Sequence, residues 1–243
     1  MILSPVFPSV GESIDLDAAD ARDQIVELYR TPRQDWVRLN LIASVSGSAS
    51  GSDGTSETLS SPTDRLVLKA IRSVADVVLV GAASVRAEGY FVPKNGVLAI
   101  VSRSGDFSGH RIKARALDDV ENPGKLLILC PARAADRARE TIGLAGATIV
   151  PVADVDGSLS ADAILSALRA LGYRSIVAEG GPTLATGLVL GGVVDELCLT
   201  TSPVLNGGEL PAFGPRAFVQ HPLTLDQLLT DSDGFTYARW RLR

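Results

Sequence analysis

The chain alternates between short runs of consecutive apolar residues and stretches in which apolar residues return every three or four positions. The runs at 36–43, 76–81, 96–101, 125–130, 147–150 and 175–178 are bounded by turn residues and have the texture of strands buried on both faces. Between them, helical spacing predicts a helix opened by Pro62, Thr63 and Asp64, with Leu66, Leu68, Ala70 and Ile71 inward. It predicts others over 131–142, over 160–171 (Ala161, Ile164, Leu165, Leu168, Leu171), and from Leu184 through Leu188 and Val189 to about residue 190. After Gly191-Gly192 the rhythm changes. Residues 193–204 form one long apolar run, and 235–242 alternate Phe, Tyr, Ala, Trp and Leu in strand fashion. Strand–helix repeats followed by late strands predict an α/β protein with a mostly parallel mixed sheet and antiparallel pairing at one side.

Residues 1–34 differ in character. Pro5, Pro8 and Pro32 interrupt them, and Asp15, Asp17, Asp20, Asp23 and Glu27 make them acidic. Ile25, Leu28 and Tyr29 predict a short amphipathic helix over 17–29. The reading is an acidic N-terminal extension, 1–34, packed on a single domain, 35–243, with no internal repeat and no linker between two cores.

Composition narrows the chemistry. Of 243 residues, 46% are hydrophobic but only 5% aromatic, so the core is built of Val, Leu, Ile and Ala. The net charge of −5 offers no electrostatic footprint for nucleic acid or an anionic membrane, and any bound phosphate must be held by local geometry and a few arginines. No apolar run approaches membrane-spanning length and no secretory leader opens the chain, so a soluble, cytoplasmic protein is expected. Cys130 and Cys198 lie in apolar strand-like runs and read as buried thiols, although two cysteines leave a disulfide open. His110 and His221 sit in predicted loops with no acid or thiol near them in sequence, and read as surface residues. No metal site is expected. The Gly-x-x-x-x-Gly-Lys loop, His-Glu-x-x-His, Cys-x-x-Cys and Gly-x-Gly-x-x-Gly are all missing.

The polar and glycine residues instead gather at strand ends. Glu179-Gly180-Gly181-Pro182-Thr183-Leu184 joins a strand to a helix, an arrangement that aims free backbone N–H groups at an anion. Glycines there let a phosphate approach the main chain, and Pro182 suits the first helical turn. Ser44 and Ser46, Gly81 and Ser84, and Ser102 and Arg103 follow three other strands. In an open parallel sheet these ends face one crevice. Several phosphate-compatible turns on one rim suggest a dinucleotide, and an arginine fork at Arg103 would favour NADPH over NADH; a solvated arginine after a strand is an equal alternative. The Ser/Gly-rich stretch 44–61 has the composition of a flexible linker, but its position between a strand and a well-signalled helix favours a functional loop.

These features, with Ala43-Ser44-Val45-Ser46-Gly47, the Asp-Gly-Thr-Ser that follows, Leu-Lys-Ala-Ile-Arg72, Val80-Gly81-Ala-Ala-Ser84-Val85-Arg86, Val194-Asp195-Glu196-Leu197, Ser202-Pro203-Val204 and Gly207-Gly208, resemble the pyrimidine reductase domain of riboflavin biosynthesis from about Trp36 onward. The resemblance implies a dihydrofolate reductase-like fold, a three-layer α/β/α sandwich on a mostly parallel sheet, and a homodimer, with residues 193–204 expected at its interface. A deaminase zinc signature is missing, so the reductase half stands alone. Carried over, it places Gly180, Gly181, Pro182, Thr183 and Leu184 on the NADPH pyrophosphate. Ala43, Thr58, Gly81, Ser84 and Glu88 fall around nicotinamide and ribose, and Ser102 and Arg103 around the adenosine phosphate. Ser44, Ser46, Ser56, Arg72 and Glu179 fall on the phosphorylated substrate, 5-amino-6-(5-phosphoribosylamino)uracil, with Arg72 on its phosphate.

Two departures stand out. The family's Ser-Leu-Asp-Gly reads Ser44-Val45-Ser46-Gly47 here, which replaces a carboxylate by a hydroxyl that cannot balance a developing cation. Its Ala-Asp-x-Pro reads Ala87-Glu88-Gly89-Tyr90. The catalytic residue is thus unassigned. Two alternatives stay open: a reductase of another heterocycle such as dihydrofolate, and a non-catalytic NADPH-binding relative.

Overall fold

Alternate residues of the central strands point into two separate cores. Val77 and Leu79, Val97 and Ala99, and Leu127 and Leu129 enter one; Val78 and Val80, Leu98 and Ile100, and Leu126 and Ile128 enter the other. Both faces are apolar because both are covered, as parallel strands require. The structure is a computed structural model that describes all residues except 122, 208–209, 215–219 and 243. Its strands are β1 (Ile2–Phe7), β2 (Ile14–Asp15), β3 (Trp36–Ser44), β4 (Val77–Gly81), β5 (Val97–Val101) and β6 (Lys125–Cys130). They continue with β7 (Ala147–Pro151), β8 (Ser175–Ala178), β9 (Glu196–Ser202), β10 (Thr224–Asp231) and β11 (Thr236–Arg241). The helices are α1 (Ala21–Leu28), α2 (Pro62–Ser73), α3 (Ala82–Ala87), α4 (Ala135–Ile142), α5 (Ala161–Ala170) and α6 (Pro182–Leu190).

One 11-stranded sheet runs β2-β1-β10-β11-β9-β3-β8-β4-β5-β6-β7. From β9 to β7 every neighbouring pair is parallel, and from β9 back to β2 every pair is antiparallel. Helices α1, α2, α3 and α4 supply Ile25, Val67, Val85 and Ala138 to one core; α5 and α6 supply Leu165 and Leu188 to the other. The sandwich is therefore three-layered. Helix ends follow local chemistry: Ser61 caps α2 by accepting the Asp64 N–H at 3.1 Å, and Ser160 caps α5 by accepting the Ala163 N–H at 3.1 Å.

The apolar pattern does not predict three of the strands. β10 reads as no strand because two of its inward positions, Gln227 and Asp231, are polar; Tyr237 Oη donates to Asp231 at 2.8 Å and Arg239 reaches Gln227. β1 contains Pro5 and its pairing with β10 shifts register between Pro5 and Phe7. With β2 it makes the first residues part of the sheet rather than a helix alone, and α1 begins only at Ala21. Helix 131–142 opens as a 3-10 turn before α4. The long run at 193–204 shortens to β9, which is paired on both edges, so an interface there would not form by edge-to-edge strand pairing. Leu3 of β1 is fully buried, and we expect Leu3→Ala to cost about 2 kcal/mol, the low end for a buried leucine because only the two-residue β2 separates β1 from the sheet edge and lets it relax. Urea unfolding checks this; an unchanged midpoint would mean β1 adds nothing to the core.

Both cysteines are buried and free. Burial, with the Glu196 carboxylate, pushes the Cys198 thiol up to about 12, so it stays protonated. His110 is half-buried and engaged: Nε2 lies 2.9 Å from the Ile142 carbonyl, and Nδ1 accepts the Ile112 N–H at 3.2 Å, tying a loop to the end of α4. Among the described residues no helix is long and apolar enough to cross a membrane.

Candidate functional site

The carboxyl ends of β4, β5 and β8 meet over a cavity of about 480 Å³. Nine of the residues expected to hold a cofactor line it together: Gly81, Ser84, Ser102, Arg103, Gly180, Gly181, Pro182, Thr183 and Leu184. Gly181 occupies the N-cap of α6 with φ 67°, a conformation that favours glycine, and Pro182 follows in the first turn. No side chain caps α6, so its first N–H groups are left for a ligand. A Cβ on Gly180 or Gly181 would lie 3.0 or 3.1 Å from Ser84 Oγ, so the close approach of α3 leaves a larger residue tight against Ser84. Ser102 Oγ accepts the Gly105 N–H at 3.0 Å and shapes the turn after β5. Arg103 is exposed at the rim and makes no ion pair among the described residues. Arg86, also lining the cavity, donates to the Asp106 carbonyl at 2.8 Å. From the other core face, Gly157, Leu159 and Ile164 complete the wall. These last residues carry no motif, and only the fold brings them here.

Ala43, Thr58 and Glu88 do not line this cavity. Ala43 is buried in β3. Thr58 Oγ1 donates to Asp53 at 2.9 Å within its own loop. Glu88 Oε1 accepts the Ser56 N–H at 2.8 Å and so pins the Ser/Gly-rich loop to the end of α3. That loop is folded, not a tether: Asp53 also accepts the Thr55 N–H and hydroxyl, and Leu59 is buried.

The expected substrate residues separate into two groups. Ser44 and Ser46 are 2.9 Å apart through their hydroxyls, and Ser46 Oγ donates to the Asn206 carbonyl at 2.6 Å. Asn206 Nδ2 in turn donates to the Ser50 carbonyl at 2.9 Å. Asn206, which no local signal marks, therefore clasps the first loop. Its neighbour Gly208 lies outside the described residues. In the second group, Arg72 Nε and Nη2 donate to the two oxygens of Glu179, both at 2.6 Å. The Glu179 side chain is 4% exposed and that of Arg72 34%. Burial alone would lower the Arg72 guanidinium, and the Glu179 carboxylate more than reverses this. The fork expected on a substrate phosphate is thus spent on a buried carboxylate. Tyr90, beside this pair, is the other residue that sequence reasoning does not single out as a site residue.

A family model described as the RibD C-terminal domain matches residues 35–237. None of the curated proteins matches the chain. Among solved structures, a pyrimidine reductase-like protein from Corynebacterium diphtheriae is similar with TM-score 0.69 and 22% identity, covering 90% of this chain and 98% of its own. The Thermotoga maritima diaminohydroxyphosphoribosylaminopyrimidine deaminase/5-amino-6-(5-phosphoribosylamino)uracil reductase has TM-score 0.66 and 18% identity, and the match covers 92% of this chain but 62% of that one. The riboflavin biosynthesis reductase Rib7 of Saccharomyces cerevisiae has TM-score 0.64 and 18% identity, with 90% and 98% covered. These likenesses share the fold: the dihydrofolate reductase-like α/β/α sandwich expected from the sequence.

Proposed function

The chain belongs to the RibD C-terminal domain family, and from that premise we propose that it is an NADPH-dependent reductase of 5-amino-6-(5-phosphoribosylamino)uracil, yielding the ribitylamino product. The observation that carries the cofactor half is the Gly180-Gly181 turn on the 480 Å³ cavity, where a Cβ would crowd Ser84 and where α6 begins without a side-chain cap. The donor set fits a dinucleotide. The first turn of α6 would hold the pyrophosphate, Ser84 the nicotinamide end, and Ser102 with Arg103 the adenosine phosphate. When bound, NADPH supplies the hydride. The protein's own part is orientation and exclusion of water. The reading includes a homodimer, with β9 and its neighbours at an interface that does not use edge-to-edge strand pairing.

The closed Arg72–Glu179 pair favours a second reading on the substrate side, reduction of another heterocycle such as dihydrofolate. Placing a phosphate dianion at Arg72 would set it against the Glu179 carboxylate. Steady-state NADPH oxidation with each substrate separates the two; robust turnover only with dihydrofolate would overturn the first. In the same assay, Arg103→Ala is expected to raise the KM for NADPH about tenfold and leave that for NADH unchanged, the loss of one charge-assisted contact. An equal effect on both cofactors would remove Arg103 from the extra phosphate.

A further inference from the structure

Two hydroxyls pack close to Gly180, which lines the cavity. A Cβ at this position would lie 3.0 Å from Ser84 Oγ and 3.6 Å from Tyr90 Oη, so two hydroxyls converge where the chain carries no side chain. Tyr90 is 9% exposed, and among the described residues its hydroxyl forms no hydrogen bond. The ring is buried, but the hydroxyl oxygen is not among the enclosed unpartnered atoms, so it keeps an opening through which a ligand can be reached. The backbone holds the ring in place: the Lys113 N–H donates to the Tyr90 carbonyl at 2.7 Å, and the Val92 N–H to the Lys113 carbonyl at 3.1 Å.

The charged groups around the phenol are Glu179 after β8, Glu88 after α3 and Arg72 on α2. Burial and the two carboxylates push the phenol well above its ordinary value, against the opposing charge of Arg72. It is a neutral donor throughout the neutral range. An anion at the phenol would meet Glu179 and Glu88, and Arg72 is already committed to Glu179. A neutral acceptor meets no such penalty.

We propose that Tyr90, with Ser84 beside it, is a binding residue that donates a hydrogen bond to the neutral carbonyl or imine edge of the heterocycle this protein reduces. Ser84 lines the cofactor cavity, while Tyr90 stands behind Gly180 among Arg72 and Glu179, so the two hydroxyls mark the boundary between cofactor and hydride acceptor. The proposal rests on the reductase reading for what is bound, and its test does not depend on turnover.

The probe is 5,6-diaminouracil, a neutral heterocycle, titrated calorimetrically into wild type and Tyr90→Phe, both loaded with NADP+. Loss of one donor is expected to weaken diaminouracil binding about tenfold, with NADP+ affinity kept within about twofold. An unchanged thermal midpoint accompanies this result, since the hydroxyl has no protein partner to lose. Equal diaminouracil affinity in the two proteins would overturn the proposal. So would a loss confined to NADP+, or a wild type that does not bind the probe at millimolar concentration. A wild type that binds diaminouracil through Tyr90 yet oxidises no NADPH with the phosphoribosyl substrate would sink the pathway reading and leave Tyr90 in place.

Discussion

Gly181→Val is expected to raise the NADPH dissociation constant about a hundredfold, a loss of about 2.7 kcal/mol. Two effects add. At φ 67° a β-branched residue is strained by about 1–3 kcal/mol, and relief of that strain would swing the first turn of α6 away from its present aim. The new Cβ would also start 3.1 Å from Ser84 Oγ, with two further methyl groups to place beside the cavity. The variant therefore loses both the direction of the free N–H groups and the space in front of them. Gly143 supplies the control. It caps α4 at φ 58° in the left-handed helical region with nothing within 4 Å of a Cβ and lies away from the cavity, so Gly143→Val carries positive-φ strain, milder than at Gly181 with its ψ of 135°, and leaves the cavity untouched. Urea unfolding should report destabilisation in both variants, the larger in Gly181→Val, and fluorescence titration should report weakened NADPH binding in Gly181→Val alone. Equal affinity in the two would reduce the glycine turn to a turn.

This turn was legible in the sequence because all its chemistry is local: a buried strand, two glycines, a proline and a helix follow one another within a few positions. The central strands were legible for a related reason, since burial on both faces makes each a continuous apolar run. Legibility fails where the partner is remote or the inward residue is polar. Arg72 and Glu179 are 107 residues apart, and Ser46 and Asn206 160, and no periodicity in either segment encodes the meeting. Arg72 is marked by its motif, but what its guanidinium touches is set by where the fold brings α2 relative to the residue that follows β8. Tyr90 was visible only as a departure from the family's proline. β10 was hidden because Gln227 and Asp231 occupy inward positions that an apolar pattern would fill with leucine or valine.

The same failure hid the strongest electrostatic feature of the fold, and Glu196→Ala is expected to lower stability by about 4 kcal/mol. Glu196 opens β9 at 1% exposure and receives Arg38 from β3 and Arg239 from β11, the latter at 2.6 Å. Trp36 Nε1 donates to the same carboxylate at 3.2 Å. Arg38 also donates to the Tyr29 carbonyl at 2.9 Å and Arg239 to the Leu28 carbonyl, so the pair fastens the end of α1 to the sheet. Both guanidinium groups lie over the Tyr29 ring, at 5.7 and 5.4 Å. Removing the carboxylate leaves two buried cations facing each other with one anion fewer, which is far costlier than never having buried the network. The pH dependence follows with a fixed sign. Burial pushes the Glu196 carboxyl up, and Arg38 and Arg239 more than reverse it, so its folded value is depressed. Its contribution is therefore complete above the unfolded carboxyl value near 4.5 and is lost as pH falls through the lower folded value. Urea unfolding of wild type should weaken over that acid range, and the part due to this carboxylate should vanish in Glu196→Ala. Arg38→Met/Glu196→Leu/Arg239→Met, which removes all three charges, should recover most of the loss at neutral pH. A single variant within about 1 kcal/mol of wild type would show that water, not the sheet, satisfies these arginines.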